Sequence, residues 1–506
     1  MEIINNVLYG FSVSLAPVNL FSCFVGVLLG TLVGVLPGLG TVATISLLLP
    51  ITFKMSPVSS VIMLAGIYYG AQYGGSTTSI LVNIPGESTS VVTCLDGYQM
   101  ARQGRAGPAL GIAAFGSFIA GTLSVIGIML LAPVLGKLAV KFDAPDYAGL
   151  FILGLTLVAY LASGSKIKAL TMAVVGLLLG TIGLDPMKGS PRFSFGSLTL
   201  LNGIELPPIA MGLFGISEVL MNLEKKLEER EIFKTNLRGL FPSRKDWLAS
   251  LGPIGRGTVA GFFLGILPGV GAIVPTFLSY AIEKRISKNP ERFGKGAIEG
   301  VAGPESANNA ASGGTLIPLL SLGIPPNANM ALLMGALIIH GLRPGPLLLQ
   351  EHPDVFWGII TSMYTGNVML LILNLPLIPL WVRVLKVPYY ILFPLIFLFC
   401  IIGIYSVNNN PMDIVVMGIF GAAGYLMRKC EYEPAPLVLA FVLGEKLEEA
   451  VRQALIYSRG DFSIFFRRPI AASFLIIAIF LLLWSVYSAL FKKKPAPGEP
   501  NTGKSM

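Results

Sequence analysis

Charge is scarce in this sequence. Asp, Glu, Lys and Arg make up 12% of 506 residues against 54% hydrophobic, and the mean hydropathy is +0.74. Soluble domains carry about a quarter of their residues as charges, so a water-soluble globular enzyme is ruled out and the solvent must be lipid. Histidine occurs twice, at His340 and His352, and neither belongs to a His-Glu-x-x-His pattern. Zinc catalysis and a transition-metal site are therefore not expected. The four cysteines, Cys23, Cys94, Cys400 and Cys430, show no Cys-x-x-Cys spacing, which argues against a disulfide framework. No Gly-x-Ser-x-Gly elbow occurs, so acyl transfer lacks its nucleophile. Neither an enzyme nor a resident cofactor is expected.

The first ten residues lack a basic stretch and a small-residue cleavage site, so the first hydrophobic segment is expected to stay as a span. The net charge of +9 resembles a nucleic-acid signal, but membrane proteins gather Lys and Arg in cytoplasmic loops. No nucleic-acid partner is expected.

What is present is apolar length. Runs of about 20 residues, enough to cross a hydrocarbon core of roughly 30 Å, recur along nearly the whole chain, about a dozen of them. Clear cases are 21–35, 61–73, 110–135, 147–162, 359–382, 391–404 and 470–490. The fold class expected is an all-α polytopic membrane protein of about 12 helical segments, multi-pass in a bacterial cell inner membrane. The only long hydrophilic stretch, Glu224 to Lys245, divides the chain. The boundaries read from it are 12–222 for a first transmembrane repeat, 223–250 for a linker and 251–448 for a second repeat. An amphipathic segment and final transmembrane helix follow over 449–491, then a disordered basic tail over 492–506.

The halves are related. Gly26, Gly30, Gly34, Pro37, Gly38 and Gly40 match Gly257, Gly261, Gly265, Pro268, Gly269 and Gly271 in every spacing, at an offset of 268 − 37 = 231. Gly74-Gly75 followed by Ile84-Pro85 corresponds to Gly313-Gly314 followed by Ile324-Pro325, and Arg105 to Pro108 corresponds to Arg343 to Pro346. A looser pair, Leu206 to Glu218 and Ala435 to Glu448, closes each unit. The loop after the second Pro-Gly break carries Lys284, Arg285, Lys288, Arg292 and Lys295, whereas its counterpart offers Lys54. That asymmetry predicts inverted repeats, with the second-half loop cytoplasmic.

Two kinds of interruption predict a site. A Leu-Pro-Gly-x-Gly string removes a backbone donor and permits non-helical dihedrals inside an apolar run, which predicts a broken helix in each half. The strings from Gly74 to Ser90 and from Gly303 to Met330 join Gly-Gly, an Ile-Pro break and clustered Ser, Thr, Asn and Glu, and read as re-entrant hairpins. Backbone left unpaired at membrane depth needs partners from protein, water or a bound ion. Free amides at helix ends suit a carboxylate, and carbonyl ends suit a cation. The substrate-binding residues expected are Asn83, Ser88, Thr89, Asn308, Asn309, Asn327 and Asn329. The cation-binding residues expected are Gly38, Gly40, Thr41, Gly269, Gly271, Glu87 and Glu305. Either glutamate could instead cap a helix, and each Ser, Thr or Asn could instead lie in an aqueous loop.

The wording of these strings carries a resemblance. GVLPGLG with TVATISLLLP, YYGAQYGGSTTSILVNIPGESTSVVTCLDGYQMARQGRAGPALG, GPESANNAASGGTLIPLLSLGIPPNANMALLMGALIIHGLRPGPLL and LGEKLEEAVRQALIYSRGDFSIFFRRP closely resemble the large membrane subunit of the tripartite tricarboxylate transporter family. The resemblance implies three parts: this subunit, a small membrane subunit of about four helices by the family pattern, and a periplasmic solute-binding protein. It further implies symport of citrate-like di- or tricarboxylates with sodium or protons as coupling ion, through an elevator-type carrier. An anion channel or a carrier for another small organic anion would use similar broken helices. An intramembrane enzyme with Glu87 or Glu305 as acid or base lacks a nucleophile or metal partner.

Overall fold

The computed structural model describes residues 2–36, 40–162, 165–224, 239–385 and 389–491. Gly38, residues 225–238 of the expected linker and the basic tail lie outside these described residues. Apart from one two-stranded hairpin, β1 (Gly183–Leu184) with β2 (Pro191–Arg192), the described elements are helical. The first half comprises α1 (Glu2–Ser14), α2 (Pro17–Val35), α3 (Thr41–Thr52), α4 (Pro57–Val82), α5 (Val91–Arg102), α6 (Ala106–Ala139), α7 (Ala144–Leu161), α8 (Lys166–Leu179) and α9 (Leu206–Leu223). The second comprises α10 (Arg244–Gly265), α11 (Ile273–Ile286), α12 (Glu299–Gly314), α13 (Leu316–Leu322), α14 (Ala328–Ile339), α15 (Pro353–Asn374), α16 (Tyr389–Asn408), α17 (Pro411–Lys429), α18 (Ala435–Tyr457) and α19 (Pro469–Phe491).

Among the described residues five helices, α2, α6, α7, α9 and α15, are long and apolar enough to cross a membrane by length and composition. This is fewer than the dozen apolar runs. Several runs end early in helices such as α3 and α14, of 12 residues each, and others share a helix with buried polar side chains, as in α4.

Helix starts follow local chemistry. Pro57 occupies the first turn of α4, where the missing N–H is not needed, and the Ser56 hydroxyl accepts from the Ser59 N–H at 3.2 Å. The Ser243 hydroxyl and Asp246 carboxylate form a capping box at α10, which satisfies two orphan donors at once.

The glycine combs set the packing. A Cβ at Gly26, Gly30 or Gly34 of α2 would lie 2.3, 2.5 and 2.3 Å from the carbonyl oxygens of Met63, Ile67 and Ala71 on α4. At Gly257, Gly261 and Gly265 of α10 it would lie 2.3, 2.2 and 2.4 Å from those of Gly303, Ala307 and Ala311 on α12. Only hydrogen fits at such backbone contacts. The partners rise together along the chain, so α2 runs parallel to α4 and α10 parallel to α12. The reciprocal glycines are Gly74 against Thr31 and Gly314 against Phe262. The contact register between α4 and α12 is thus 314 − 74 = 240, and Gly74 matches Gly314, one residue away from the pairing read in sequence.

Across the halves the direction reverses. Glu305 bonds Ser76 and Thr93, while Gly97 lies against Ile80 and Val301. Moving forward along α4 is moving backward along α12.

The two kinds of interruption exchange roles relative to the sequence expectation. The Leu-Pro-Gly-x-Gly segments reverse the chain. Ser60, at the start of α4, bonds the Thr52 carbonyl at the end of α3, and Ser59 beside it bonds Asn19 near the start of α2. In the second half Glu283 near the end of α11 pairs with Arg256 of α10 at 2.5 Å. Each Pro-Gly segment therefore tips a helical hairpin, α2–α3 or α10–α11. The returning arms of 12 and 14 residues reach about 18 and 21 Å, short of the roughly 30 Å core. The polar strings, by contrast, do not form re-entrant hairpins. Gly74 to Ser79 continue inside the 26-residue α4. The segment from Asn83 then doubles back along α4 until Thr89 meets Gln72 at 2.7 Å, and α5 sets off again in the direction of α4.

Candidate functional site

At the first hairpin tip, α2 ends at Val35 and Leu36 leaves the helix with ψ 99°. The Val35 carbonyl accepts from the Thr78 hydroxyl of α4 at 2.8 Å. The returning α3 starts after Gly40, and its Thr41 N–H donates to Glu87 Oε1 at 2.9 Å. Glu87 therefore caps this helix, the second of the two roles its sequence left open, and its charge complements the positive end of the helix. An added Cβ at Gly40 would meet nothing within 4 Å.

At the second tip, Gly269 and Gly271 have φ of 82° and 59°, a region that favours glycine. The Gly269 N–H donates to the Pro326 carbonyl at 2.9 Å. Gly271 faces open space, and α11 starts without a side-chain cap. In both halves the Pro-Gly tip is thus tied to the Ile-Pro segment of the same half, through a side chain in the first and a backbone carbonyl in the second.

Between the tips lies a buried polar belt. Glu305 of α12 is 1% exposed and accepts from the Ser76 hydroxyl at 2.5 Å and from the Thr93 hydroxyl. Its recorded partners among the described residues are hydroxyls alone. Two other buried carboxylates face arginine instead: Asp146 meets Arg468 at 2.9 Å, and Glu283 meets Arg256.

The asparagines divide by what their amides do. Asn309 donates to Ser117 Oγ at 2.7 Å and to the Glu305 carbonyl at 3.1 Å, which binds α12 to α6. Asn327 caps α14 through the Met330 N–H at 3.0 Å and donates to the Tyr68 hydroxyl. Asn83 is exposed and ends α4 in a left-handed conformation. Asn308 is fully buried, and neither its amide nitrogen nor its carbonyl oxygen has a partner. Asn329 keeps a buried, unpartnered carbonyl oxygen. Since nearly all buried polar groups are bonded, Asn308 and Asn329 are, of the asparagines expected in the site, the ones with capacity to spare. Of the others, Thr89 is buried and Ser88 exposed. The Ser88–Ser90 turn packs against both α11 and α12.

Sequence reasoning missed Ser76 and Thr93, although both stand inside strings it quoted. It also missed Asp96 of α5, which is fully buried. The Asp96 carboxylate accepts from the backbone N–H groups of Gly294, Gly296 and Ala297 at 2.9, 2.7 and 2.8 Å and from the Tyr280 hydroxyl at 2.9 Å. A lone acid in LDGYQM gives no local hint of partners some 200 residues away. Asp96, with Gln103 bonded to the Lys295 carbonyl and Arg105 paired with Asp246, brings basic residues of both halves to one end.

The tail string from Gly498 to Ser505, GEPNTGKS, fits the spacing of a phosphate-binding loop. Such a loop needs a strand before it and a helix after it; this string follows Lys-Pro-Ala-Pro and lies outside the described residues.

Residues 20–439 match the family described as Tripartite tricarboxylate transporter TctA family. The chain is 53% identical over 494 residues to an uncharacterized 52.8 kDa protein in the TAR-I ttuC' 3' region of Agrobacterium vitis, covering 98% of each. A second protein of that organism, uncharacterized and in the TAR-II ttuC' 3' region, is 52% identical over 234 residues, 46% of this chain and 97% of that one. No solved structure matches. The family comprises transporters rather than enzymes, and its members are large subunits that work with a small membrane subunit and a periplasmic binding protein. The match spans most of the chain, which therefore belongs to the tripartite tricarboxylate transporter TctA family.

Proposed function

We propose that this chain is the large subunit of a secondary active carrier for di- or tricarboxylates across the bacterial inner membrane. Uptake is driven by sodium entry, and a periplasmic binding protein delivers the substrate to the membrane subunits. The observation that carries this reading is Asn308, an amide with two unspent polar atoms, in a buried belt between hairpin tips of opposite direction. An amide donor can hold a carboxylate without the cost of burying a lysine or arginine.

Inverted repeats are supported by the matched comb contacts and by the antiparallel course of α4 and α12. In carriers of this kind the substrate site lies near the midplane where the repeats meet, and one body rocks or slides against the other; we assign the polar belt to the moving body of an elevator. The end carrying Arg102, Arg105 and Lys284 to Lys295 is cytoplasmic by its charge. Each positive charge moving inward gains about 2.3 kcal/mol per 100 mV, so a multivalent anion requires more than one cation.

The test is uptake of radiolabelled citrate and other di- and tricarboxylates into proteoliposomes holding both membrane subunits, with the binding protein supplied outside. Accumulation that rises with an imposed sodium gradient and inside-negative potential is expected. Uptake indifferent to both removes the coupling.

A further inference from the structure

Helices α4 and α6 and the end of α15 enclose a cavity of about 10 Å³ whose polar wall consists of Tyr73, Ser76, Thr77, Ser117 and Asn374. That is room for one particle of about the size of a water molecule. The wall offers oxygen ligands: a phenol, three hydroxyls and an amide carbonyl. The Asn374 amide nitrogen is engaged by the Leu370 carbonyl at 3.0 Å and by Thr31 Oγ1 at 3.4 Å. Its carbonyl oxygen, on a side chain 4% exposed, is left without a partner.

A negative charge stands one hydroxyl away. Ser76, which lines the cavity, bonds the Glu305 carboxylate at 2.5 Å, and Ser117, which also lines it, is held by Asn309 one turn along the same helix. A buried carboxylate without a counter-charge is costly, and the partners recorded for Glu305 are hydroxyls alone. A hard cation with oxygen ligands meets both needs: it fills the coordination of Asn374 and neutralises Glu305.

We propose that this cavity binds one sodium ion, through oxygens of Tyr73, Ser76, Thr77, Ser117 and Asn374, with Glu305 as counter-charge. It rests on the cation-coupled reading above and places the ion at the α4–α6–α15 junction. Ser76 and Ser117 link the ion to the same α12 face that carries Glu305 and Asn309, so its occupancy bears on the packing of α12 beside Asn308.

The experiment is binding of radioactive sodium to the purified full-length chain in detergent. Saturable binding displaced by unlabelled sodium, and not by equal potassium or choline, is expected. Thr77→Val, which keeps the shape and removes one oxygen, and Asn374→Leu should each weaken it at least tenfold, while Thr77→Ser should retain it. Size-exclusion elution at the wild-type volume checks the fold of each variant. Wild-type sodium affinity in both Thr77→Val and Asn374→Leu overturns the site, and if uptake then still follows the sodium gradient the carrier reading stands with its ion elsewhere. Uptake that follows a proton gradient and ignores sodium overturns the site together with the sodium part of that reading.

Discussion

Asn83 and Gly323 hold the same left-handed backbone conformation, with φ of 59° and 69°, each one residue beyond its helix and one before an Ile-Pro pair. Their separation, 323 − 83 = 240, is the register of the comb contacts between α4 and α12. Asn83 thus stands where the other half uses glycine, and asparagine is among the few side chains that visit this region readily. Asn83→Gly should keep wild-type uptake and melting temperature. Asn83→Leu should cost about 1–2 kcal/mol, read as a lower melting temperature in detergent. A loss of uptake in a stable Asn83→Gly variant would instead assign Asn83 the substrate-binding role expected from the sequence.

Glu87 and Thr41 make a second separable case. Glu87→Ala removes the acceptor of the Thr41 N–H and should cost about 1 kcal/mol, the usual worth of a helix cap. Glu87→Gln keeps an acceptor and should retain most of that stability. Thermal unfolding of the two variants side by side checks the order.

The combs should tolerate almost nothing. Gly30→Ala and Gly261→Ala each force a methyl to within 2.5 Å or less of a carbonyl oxygen, and overpacking of this kind costs about 1–3 kcal/mol, more than the gain in helix propensity of about 1 kcal/mol. Gly40→Ala enters open space at φ −68° and should fold normally. Yield of monodisperse protein after solubilisation gives the comparison.

Topology can be read by labelling. Lys54 and Lys288 are exposed and close equivalent hairpins in the two halves. In a background without the four native cysteines, Lys54→Cys should react with a membrane-impermeant maleimide from the periplasm, and Lys288→Cys only after the membrane is opened. Reaction of both from one side would remove the inverted arrangement.

Much of this was legible in the sequence because it is local or repeated. The glycine spacing announced close helix pairs, and the Pro-Gly strings announced breaks, since proline and paired glycines act on their own backbone. Whether a break kinks or reverses a helix is settled by distant partners, such as Thr78 for the Val35 carbonyl and Glu87 for the Thr41 N–H. The string from Gly74 to Ser90 reads in the sequence as a re-entrant hairpin. Inside α4, however, Ser76 also returns its hydroxyl to the Gln72 carbonyl at 3.1 Å, and Ser79 bonds Ser90, so the buried hydroxyls are satisfied and the helix runs on. Which asparagine stays unspent was equally out of reach, because Asn308 and Asn309 are neighbours whose difference is made by Ser117 on another helix.

That difference gives the most direct test of the buried belt as the substrate site: sodium-driven carboxylate uptake and thermal stability measured on Asn308→Leu and Asn309→Leu. Asn309→Leu strands Ser117 and should lose about 1–3 kcal/mol of stability. Asn308→Leu gives up no recorded hydrogen bond, so its melting temperature should hold or rise while binding-protein-dependent uptake is abolished. A folded Asn308→Leu protein that transports at the wild-type rate would contradict the account.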